Sequence, residues 1–216
     1  MLNEIGHFTL LLAFCVALIQ ATVPLFGANK GRTDLMAIAE SSANLQFALL
    51  LASFAALTHA FVTSDFSVKL VVLNSHSLKP MLYKVTGVWG NHEGSMLLWV
   101  LILSLFGASA SWFGKSLPIL LKTRVLSVQG AIGVAFLAFI IFTSNPFERM
   151  QIPPFDGQDL NPLLQDPGLA FHPPFLYLGY VGLSMAFSFA VAALIAVSYT
   201  HLRAHETLRY LVCRLL

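Results

Sequence analysis

The sequence predicts an all-α integral membrane protein with about five transmembrane helices and two ordered loops on the outer side of the membrane. Of the 216 residues, 57% are hydrophobic and only 10% are charged, whereas soluble domains carry about 25% charged residues. The chain therefore lacks the polar surface needed to face water on every side. Its net charge of +2 includes no basic block that could bind phosphate groups, which excludes nucleic acid as a main partner.

Five apolar runs carry the prediction of transmembrane helices. A helix that spans the hydrocarbon core needs about 20 consecutive apolar residues, because its backbone polar groups must be satisfied within the segment. A cleavable signal peptide begins with a basic segment, whereas this run is preceded by Glu4, and the run is also too long for the apolar part of a signal peptide. The first run is therefore predicted to be a retained helix. The runs without Asp, Glu, Lys or Arg cover residues 5–26, 43–63, 94–113, 125–143 and 174–197.

The connections between these runs differ in length and in charge. Residues 27–42 and 114–124 are short and dense in Lys and Arg, whereas residues 64–93 and 144–173 are long. Basic residues close to helix ends favour the cytoplasmic side. The sequence therefore predicts cytoplasmic short connections, with the N-terminus and both long loops outside, which in a bacterium is the periplasm.

The predicted helices contain no carboxylate, ammonium or guanidinium group. Only His7 and His59 are titratable imidazoles within them, and both lie toward the outer ends. A charge inside the hydrocarbon is costly and is kept for ion relays or substrates, so we expect no proton or sodium pathway in this segment. Cys15 and Cys213 have no metal-ligand spacing.

The first long loop ends in residues that we expect to shape its surface. Tryptophan rings at headgroup level anchor helix ends, and Glu93 suits the positive end of the dipole of the helix that follows. An aromatic anchor followed by an acidic first turn explains this pattern without a binding function, so a structural interpretation stays open beside a functional one. The loop-shaping residues here are Trp89, Gly90, Glu93, Gly94 and Trp99.

The second long loop is rich in turn-forming pairs, which predict a shaped surface rather than a tether. His172 is expected to close this loop where the fifth helix begins, because the prolines that follow it fix the backbone. A fixed imidazole at the outer membrane surface suits an axial heme ligand, and it equally suits a helix-entry histidine that is hydrogen-bonded to the loop. The loop-shaping residues here are Asp166, Pro167, Gly168, Pro173 and Pro174.

Three stretches of these loops carry a family resemblance. They are WGNHEGSMLLW at residues 89–99, TSNPF at residues 143–147 and DLNPLLQDPGLAFHPPFLYLGYVG at residues 159–182. They resemble the N-terminal part of the cytochrome c maturation heme lyases, the CcmF/NrfE family. These motifs are long and specific, and the resemblance covers residues 1–197.

The resemblance implies a bacterial inner-membrane protein that takes heme b from a periplasmic heme chaperone. It also implies attachment of that heme to a Cys-x-x-Cys-His apocytochrome c, with a thiol-handling partner that keeps the cysteines reduced. In the family, the histidine of the His-Pro-Pro motif is one of two outer axial ligands of the transferred heme, which maps onto His172 as the ligand of the heme iron. No catalytic residue follows from the sequence.

Several features of the family do not appear in this chain. Its tryptophans are Trp89, Trp99 and Trp112 only, whereas the family has a tryptophan-rich outer loop, a second outer axial histidine and transmembrane histidines for a b-type heme. We therefore expect the chain to be a piece of a heme lyase that is inactive alone and does not hold heme productively by itself. The alternative is a membrane scaffold or transporter subunit of the assembly machinery without direct heme ligation.

The last residues, 198–216, do not resemble the next loop of the family. We interpret them as an unrelated tail that arose by truncation or by assembly of mixed DNA, after a first domain of residues 1–197. A basic amphipathic helix on the cytoplasmic face is the alternative interpretation. His201, His205 and Cys213 are not expected to form a metal site.

Overall fold

The computed structural model describes residues 1–196, and within them it is all-helical. Five of its helices are long and apolar enough to cross a membrane, with mean hydropathies from 1.8 to 2.4, which confirms the predicted fold class. Single 3₁₀ turns lie at Gly114–Ser116 and Pro162–Leu164. The α-helices are α1 (Leu2–Lys30), α2 (Thr33–Val62), α3 (Lys69–Asn74), α4 (Met81–Thr86), α5 (His92–Phe113), α6 (Ile119–Thr143) and α7 (Pro167–Ile195).

Helices α2, α6 and α7 begin well before the predicted positions, and α6 starts at Ile119 and not at residue 125. Helix α2 starts at Thr33 and not at residue 43, because the connection from α1 is reduced to Gly31 and Arg32, with Gly31 in the left-handed conformation at φ 68°. Helix α7 starts at Pro167 and not at residue 174. Its first turn is fixed by Asp166, whose carboxylate accepts a hydrogen bond from Leu169 N at 3.1 Å, and by a proline at the first helical position.

The spanning helices pack through small residues and a few buried amides. A side chain at Gly130 of α6 would approach the backbone nitrogen of Ala21 in α1 to 2.9 Å, and one at Gly182 of α7 would meet the Phe106 ring at 3.3 Å. Such close approach is the expected mode of helix association in lipid. The Gln129 amide donates to the hydroxyls of Ser184 and Ser188 and so ties α6 to α7.

The two long loops lie at the same end of the bundle and contact each other, together with the start of α1. Val68 and Arg149 form an antiparallel bridge, and Asp159 N donates to Ser75 O at 3.1 Å. At the start of α1, the Asn3 amide donates to the carboxylate of Asp65 at 2.7 Å. We call this end of the bundle the loop face.

The contact between Ser77 and Asp156 should weaken in acid. Asp156 accepts hydrogen bonds from both the hydroxyl and the backbone N–H of Ser77, and these bonds lower the pKa of its carboxyl. A lowered pKa means that the contact stabilises the fold above the unfolded-state pKa, near 3.8, and that this stabilisation is lost as the pH falls through the folded-state value. The protection factor of the Ser77 amide against hydrogen exchange should therefore fall only as the pH drops below 3.8, and Asp156→Asn should remove most of that pH dependence. An equal fall in Asp156→Asn would contradict this prediction.

Candidate functional site

The turn before α5 is held by a set of side-chain-to-backbone hydrogen bonds. The Asn91 carboxamide accepts from Gly94 N at 2.7 Å and donates to Gly87 O at 2.8 Å, so that one residue caps the helix and closes the turn. The Ser95 hydroxyl donates to Trp89 O at 2.6 Å. The turn passes so close to the helix that a side chain at position 94 would clash with the Val88 backbone. The hydrogen bonds that cap α5 therefore fix the shape of this segment of the first long loop.

Trp89 joins this turn to the beginning of α7. Its indole Nε1 donates to Ala170 O at 2.7 Å, and its ring stacks on Phe54 with centroids 6.4 Å apart. Ala170 O would ordinarily accept from the backbone nitrogen of residue 174 or 173, but both are prolines and have no N–H. The His-Pro-Pro sequence therefore leaves a buried carbonyl that Trp89 satisfies.

Trp99 has a different role from the one predicted. It is the eighth residue of α5 and therefore lies about 10 Å along the helix from its start, not at the boundary with the loop. Its ring packs against Phe136 of α6 with centroids 4.0 Å apart. The side chain is a contact between two spanning helices.

A cavity of about 340 Å³ lies between the turn before α5, the second long loop and the first turns of α7. Trp89 and Gly90 form one wall, Leu160 and Leu164 form another, and Tyr177 projects from α7. A side chain at position 90 would approach Leu160 Cδ1 to 3.1 Å, so the leucine would have to shift by a few tenths of an ångström. The remaining lining residues are Thr86, Asn91, His92, Ser95, Leu169, Ala170 and Pro173.

His172 lies within the second turn of α7, so the expectation that it closes the loop ahead of the helix is wrong. Asp166 and Pro167 start the helix five residues earlier, and Pro173 and Pro174 lie inside it. The His172 side chain is exposed and does not line the 340 Å³ cavity, because each residue turns about 100° around a helix and Pro173 occupies the cavity side. No hydrogen bond to its imidazole is formed within residues 1–196, including the bond to the loop that was one interpretation of the sequence.

The surface around His172 is apolar. The side chains of Phe171, Phe175 and Leu176 are 47%, 72% and 38% exposed. Helix α7 is also the least enclosed of the spanning helices, because only 17% of its most apolar segment is buried. An imidazole with both ring nitrogens available, beside exposed aromatic and aliphatic side chains, fits one axial position and one face of a porphyrin. Within residues 1–196, no group of three or more His, Cys, Asp or Glu side chains is placed to hold a metal ion.

Two other histidines at the loop face are held by the TSNPF motif, and the sequence did not reveal either contact. His92 Nε2 lies 3.2 Å from the Ser144 hydroxyl, and the Asn145 amide lies 3.2 Å from His7 Nε2. The next residue but one, Phe147, packs near the His7 ring. Adjacent residues of one motif thus orient imidazoles on α5 and α1.

Two ionisable groups of the first long loop have shifted pKa values. Burial lowers the pKa of Lys79, whose ammonium lies 3.7 Å from Asp159 and donates to Asn74 O at 2.7 Å. Burial alone would raise the pKa of Asp65, but hydrogen bonds from Ser67 and Asn3 lower it. Both groups anchor the first long loop, and neither lines the cavity.

Glu93 and Gly168 complete the predicted loop-shaping residues. Glu93 lies in the first turn of α5, at the positive end of the helix dipole, which stabilises its negative charge. Gly168 is the second residue of α7, and a side chain there would lie 3.0 Å from Asp166 Oδ1, the atom that caps the helix. Both residues therefore lie in the first turn of a spanning helix, Glu93 in α5 and Gly168 in α7.

Loss of the Trp89 indole bond should destabilise the protein in a way that depends on residue 174. Trp89→Phe keeps an aromatic ring near Phe54 but leaves the Ala170 carbonyl without a donor, at a cost of about 1–3 kcal/mol. In a Pro174→Ala background the backbone N–H of residue 174 can donate to that carbonyl, so the same replacement should cost less. Thermal unfolding of the four proteins in one detergent, followed by circular dichroism, measures this coupling.

Trp99→Phe is the matched control for that cycle, because the Trp99 ring packs on Phe136 and its indole N–H has no partner within residues 1–196. Its cost should be the same with either residue at position 174. Additive effects of Trp89→Phe and Pro174→Ala would contradict the prediction.

Comparison with known proteins identifies the family. The family model described as "Cytochrome C assembly protein" matches residues 89–214. The cytochrome c-type biogenesis protein ccl1 of Rhodobacter capsulatus is 71% identical over 195 residues, which are 90% of this chain and 30% of that protein. The cytochrome c-type biogenesis protein CcmF of Escherichia coli is 47% identical over 198 residues, 91% of this chain and 30% of that protein.

A solved structure gives the same result. The protein described as "Cytochrome c Heme Lyase CcmF" superposes with a TM-score of 0.78 at 28% sequence identity, covering 92% of this chain and 31% of that one. The chain thus spans about 30% of the length of the relatives it matches. The matched residues include the turn before α5, the TSNPF motif and α7. This chain belongs to the cytochrome c assembly protein family.

Proposed function

We propose that this chain forms the N-terminal helical part of a heme-handling protein of cytochrome c-type biogenesis, and that His172 is an axial ligand of the heme that is transferred. The observation that carries the proposal is the exposed imidazole of His172, which has no hydrogen-bond partner within residues 1–196 and lies on a helix whose first turns are held by Trp89. Family membership supports the same conclusion, because relatives are named for cytochrome c-type biogenesis and for a cytochrome c heme lyase.

The position of His172 on a fixed helix suits ligation. A metal ligand must present its nitrogen without a costly search through conformations, and the cap at Asp166 and the Trp89 bond to Ala170 hold the first turns of α7 in place. The exposed side chains of Phe171 and Phe175 provide apolar contacts for the porphyrin. Heme b is the proposed substrate, delivered by a periplasmic heme chaperone.

The chemistry proposed for the whole protein is thioether formation on an apocytochrome c. The thiol of each cysteine in a Cys-x-x-Cys-His segment adds across a heme vinyl group, so that sulfur bonds to one vinyl carbon and the proton goes to the other. No electron is gained or lost in this addition. The role of this chain is to position the heme, while a thiol-handling partner keeps the apocytochrome cysteines reduced.

The charge distribution supports an orientation with the loop face in the periplasm. The opposite end of the bundle carries Lys30, Arg32 and Lys115 in its short connections, and basic residues near helix ends favour the cytoplasm. The proposed location is the bacterial inner membrane. Residues 1–197 are proposed as one membrane module, and the tail interpretation of residues 198–216 lies outside the described residues.

A chimera tests the proposed function. The 195 residues of the Rhodobacter capsulatus protein that align with this chain are replaced by those of this chain, and the chimera is expressed in a strain that lacks the native protein. We expect c-type cytochromes to form, detected by heme staining of denatured proteins, because only a covalently attached heme survives denaturation.

The chimera also distinguishes the proposed function from a scaffold without heme contact. Heme that co-purifies with the chimera should decrease when His172 is replaced by alanine, whereas a scaffold without heme contact would keep the same heme content after that replacement. The 216-residue chain alone is predicted to bind no heme, and a heme spectrum from it that disappears in His172→Ala would contradict that prediction.

A further inference from the structure

The first turns of α7 are joined to the rest of that helix by fewer backbone hydrogen bonds than usual. Four such bonds normally cross the point after residue 172, from the nitrogens of residues 173–176 to the carbonyls of residues 169–172. Pro173 and Pro174 lie inside the helix and have no N–H, so two of these bonds cannot form. The segment 167–172, which carries His172, is therefore held only in part by the helix to which it belongs.

Trp89 replaces one of the missing bonds from outside the helix. The Ala170 residue is 5% exposed, and its carbonyl accepts from the Trp89 indole Nε1 at 2.7 Å. Within residues 1–196, no other side chain donates to a carbonyl of the segment 167–172. The Asp166 cap acts on the first turn alone, through Leu169 N. The indole is thus the side-chain donor that ties this segment to the bundle.

Trp89 is itself fixed by contacts with three helices. Its ring stacks on Phe54 of α2 with centroids 6.4 Å apart. Its carbonyl accepts from the Ser95 hydroxyl of α5 at 2.6 Å, and its backbone nitrogen donates to the carbonyl of Thr86, the last residue of α4, at 3.2 Å. A donor that is held in this way fixes the segment 167–172 relative to the bundle.

The indole supports this segment from the side away from His172. Ala170 and His172 are two residues apart, which is a rotation of about 200° around the helix. Ala170 lines the 340 Å³ cavity, whereas the His172 side chain is exposed. The Trp89 bond therefore restrains the backbone and leaves the space in front of the imidazole open.

We propose that Trp89 is a positioning residue for His172, and that its bond to Ala170 sets the direction in which the imidazole meets the heme iron. Trp89 acts through the backbone of α7 and not by contact with the heme. This inference rests on the proposed function, because it requires His172 to be a heme ligand. Groups that orient a metal ligand without touching the metal change affinity or activity by about 10–100-fold.

Electron paramagnetic resonance of the purified chimera tests this role. The low-spin ferric signal that disappears in His172→Ala measures the heme that His172 binds. We expect Trp89→Phe to reduce that signal at least about tenfold, although His172 is still present. A signal in Trp89→Phe equal to that of the unsubstituted chimera would overturn the proposal.

A second substitution separates positioning from a general loss of stability. In a Pro174→Ala background the N–H of residue 174 can donate to the Ala170 carbonyl, so Trp89→Phe should leave most of the low-spin signal. Trp99→Phe is the matched control, because the Trp99 ring packs on Phe136, and it should leave the signal unchanged. An equal loss in Trp99→Phe would overturn the proposal, and so would a Pro174→Ala background that restores the unfolding temperature without the signal.

The same experiment distinguishes failure of this inference from failure of the proposed function. If His172→Ala removes the low-spin signal and Trp89→Phe does not, His172 remains the ligand and only the positioning role of Trp89 is wrong. If His172→Ala leaves the signal unchanged, His172 is not a ligand, and both proposals are overturned.

Discussion

Gly94→Ala should destabilise the protein by about 3 kcal/mol, at the upper end of the cost of overpacking a closely packed site. A Cβ atom at this position would lie 1.6 Å from Val88 O and 3.0 Å from Asn91 Oδ1. The Val88 carbonyl cannot easily move away, because Val88 is fully buried and its carbonyl accepts a hydrogen bond from Asn91 at 3.2 Å. The clash must therefore be relieved by opening the turn.

Opening that turn should also disturb the start of α7. Trp89 lies in the same turn and donates to Ala170 O, so a displaced Trp89 leaves that buried carbonyl unsatisfied. We expect lower hydrogen-exchange protection in the first two turns of α7 as well as a lower unfolding temperature in detergent.

Gly107→Ala is the matched control in the same helix. Nothing lies within 4 Å of a Cβ atom at position 107, and alanine is favoured over glycine in a helix interior by about 0.5–1 kcal/mol. This variant should therefore be neutral or slightly more stable. If the two alanine variants unfold at the same temperature, the close approach of Gly94 to Val88 does not limit stability.

The number of spanning helices was predictable from the sequence because lipid imposes a simple condition. Each run without charge had to become a helix, since no other backbone structure satisfies its polar groups in hydrocarbon except a closed barrel. The condition says little about helix ends. Helix α2 extends beyond the hydrocarbon, where charges are tolerated, and this part of the helix includes Asp34 and Glu40. A charge-free run stops short of these residues and therefore places the start of α2 too late.

The start of α7 shows how one signal supports two structures. The tripeptide Asp166-Pro167-Gly168 is typical of a turn, and it is also a helix cap followed by a proline at the first helical position. The apolar run alone favoured the later start at residue 174. The structure places the cap at Asp166, which makes His172 a helical residue with an exposed side chain.

The contacts that build the site join residues far apart in the chain, which explains why spacing did not reveal them. His92 meets Ser144 across 52 positions, and His7 meets Asn145 across 138. Trp89 meets Ala170 across 81 positions. Only the last contact had a local signal, because consecutive prolines at 173 and 174 leave a helical carbonyl without a donor.

His172→Ala in the chimera should reduce covalent cytochrome c formation at least about tenfold, comparable to the loss that follows removal of groups that support a metal site. The side chain is exposed and makes no hydrogen bond within residues 1–196, so its removal should leave the unfolding temperature unchanged. Function and stability are therefore expected to separate in this variant. His59→Ala is the matched control, since His59 is an exposed histidine near the loop-face end of α2.

Imidazole in the medium provides the sharper test of the assigned role. An exposed ligand leaves an open position when it is replaced by alanine, and free imidazole can occupy the vacant axial site of the iron. Cytochrome formation in His172→Ala should then recover partly, with a recovery that saturates as imidazole increases, whereas a defect in folding or in partner binding would not respond. Full activity of His172→Ala without imidazole would remove His172 from the heme site.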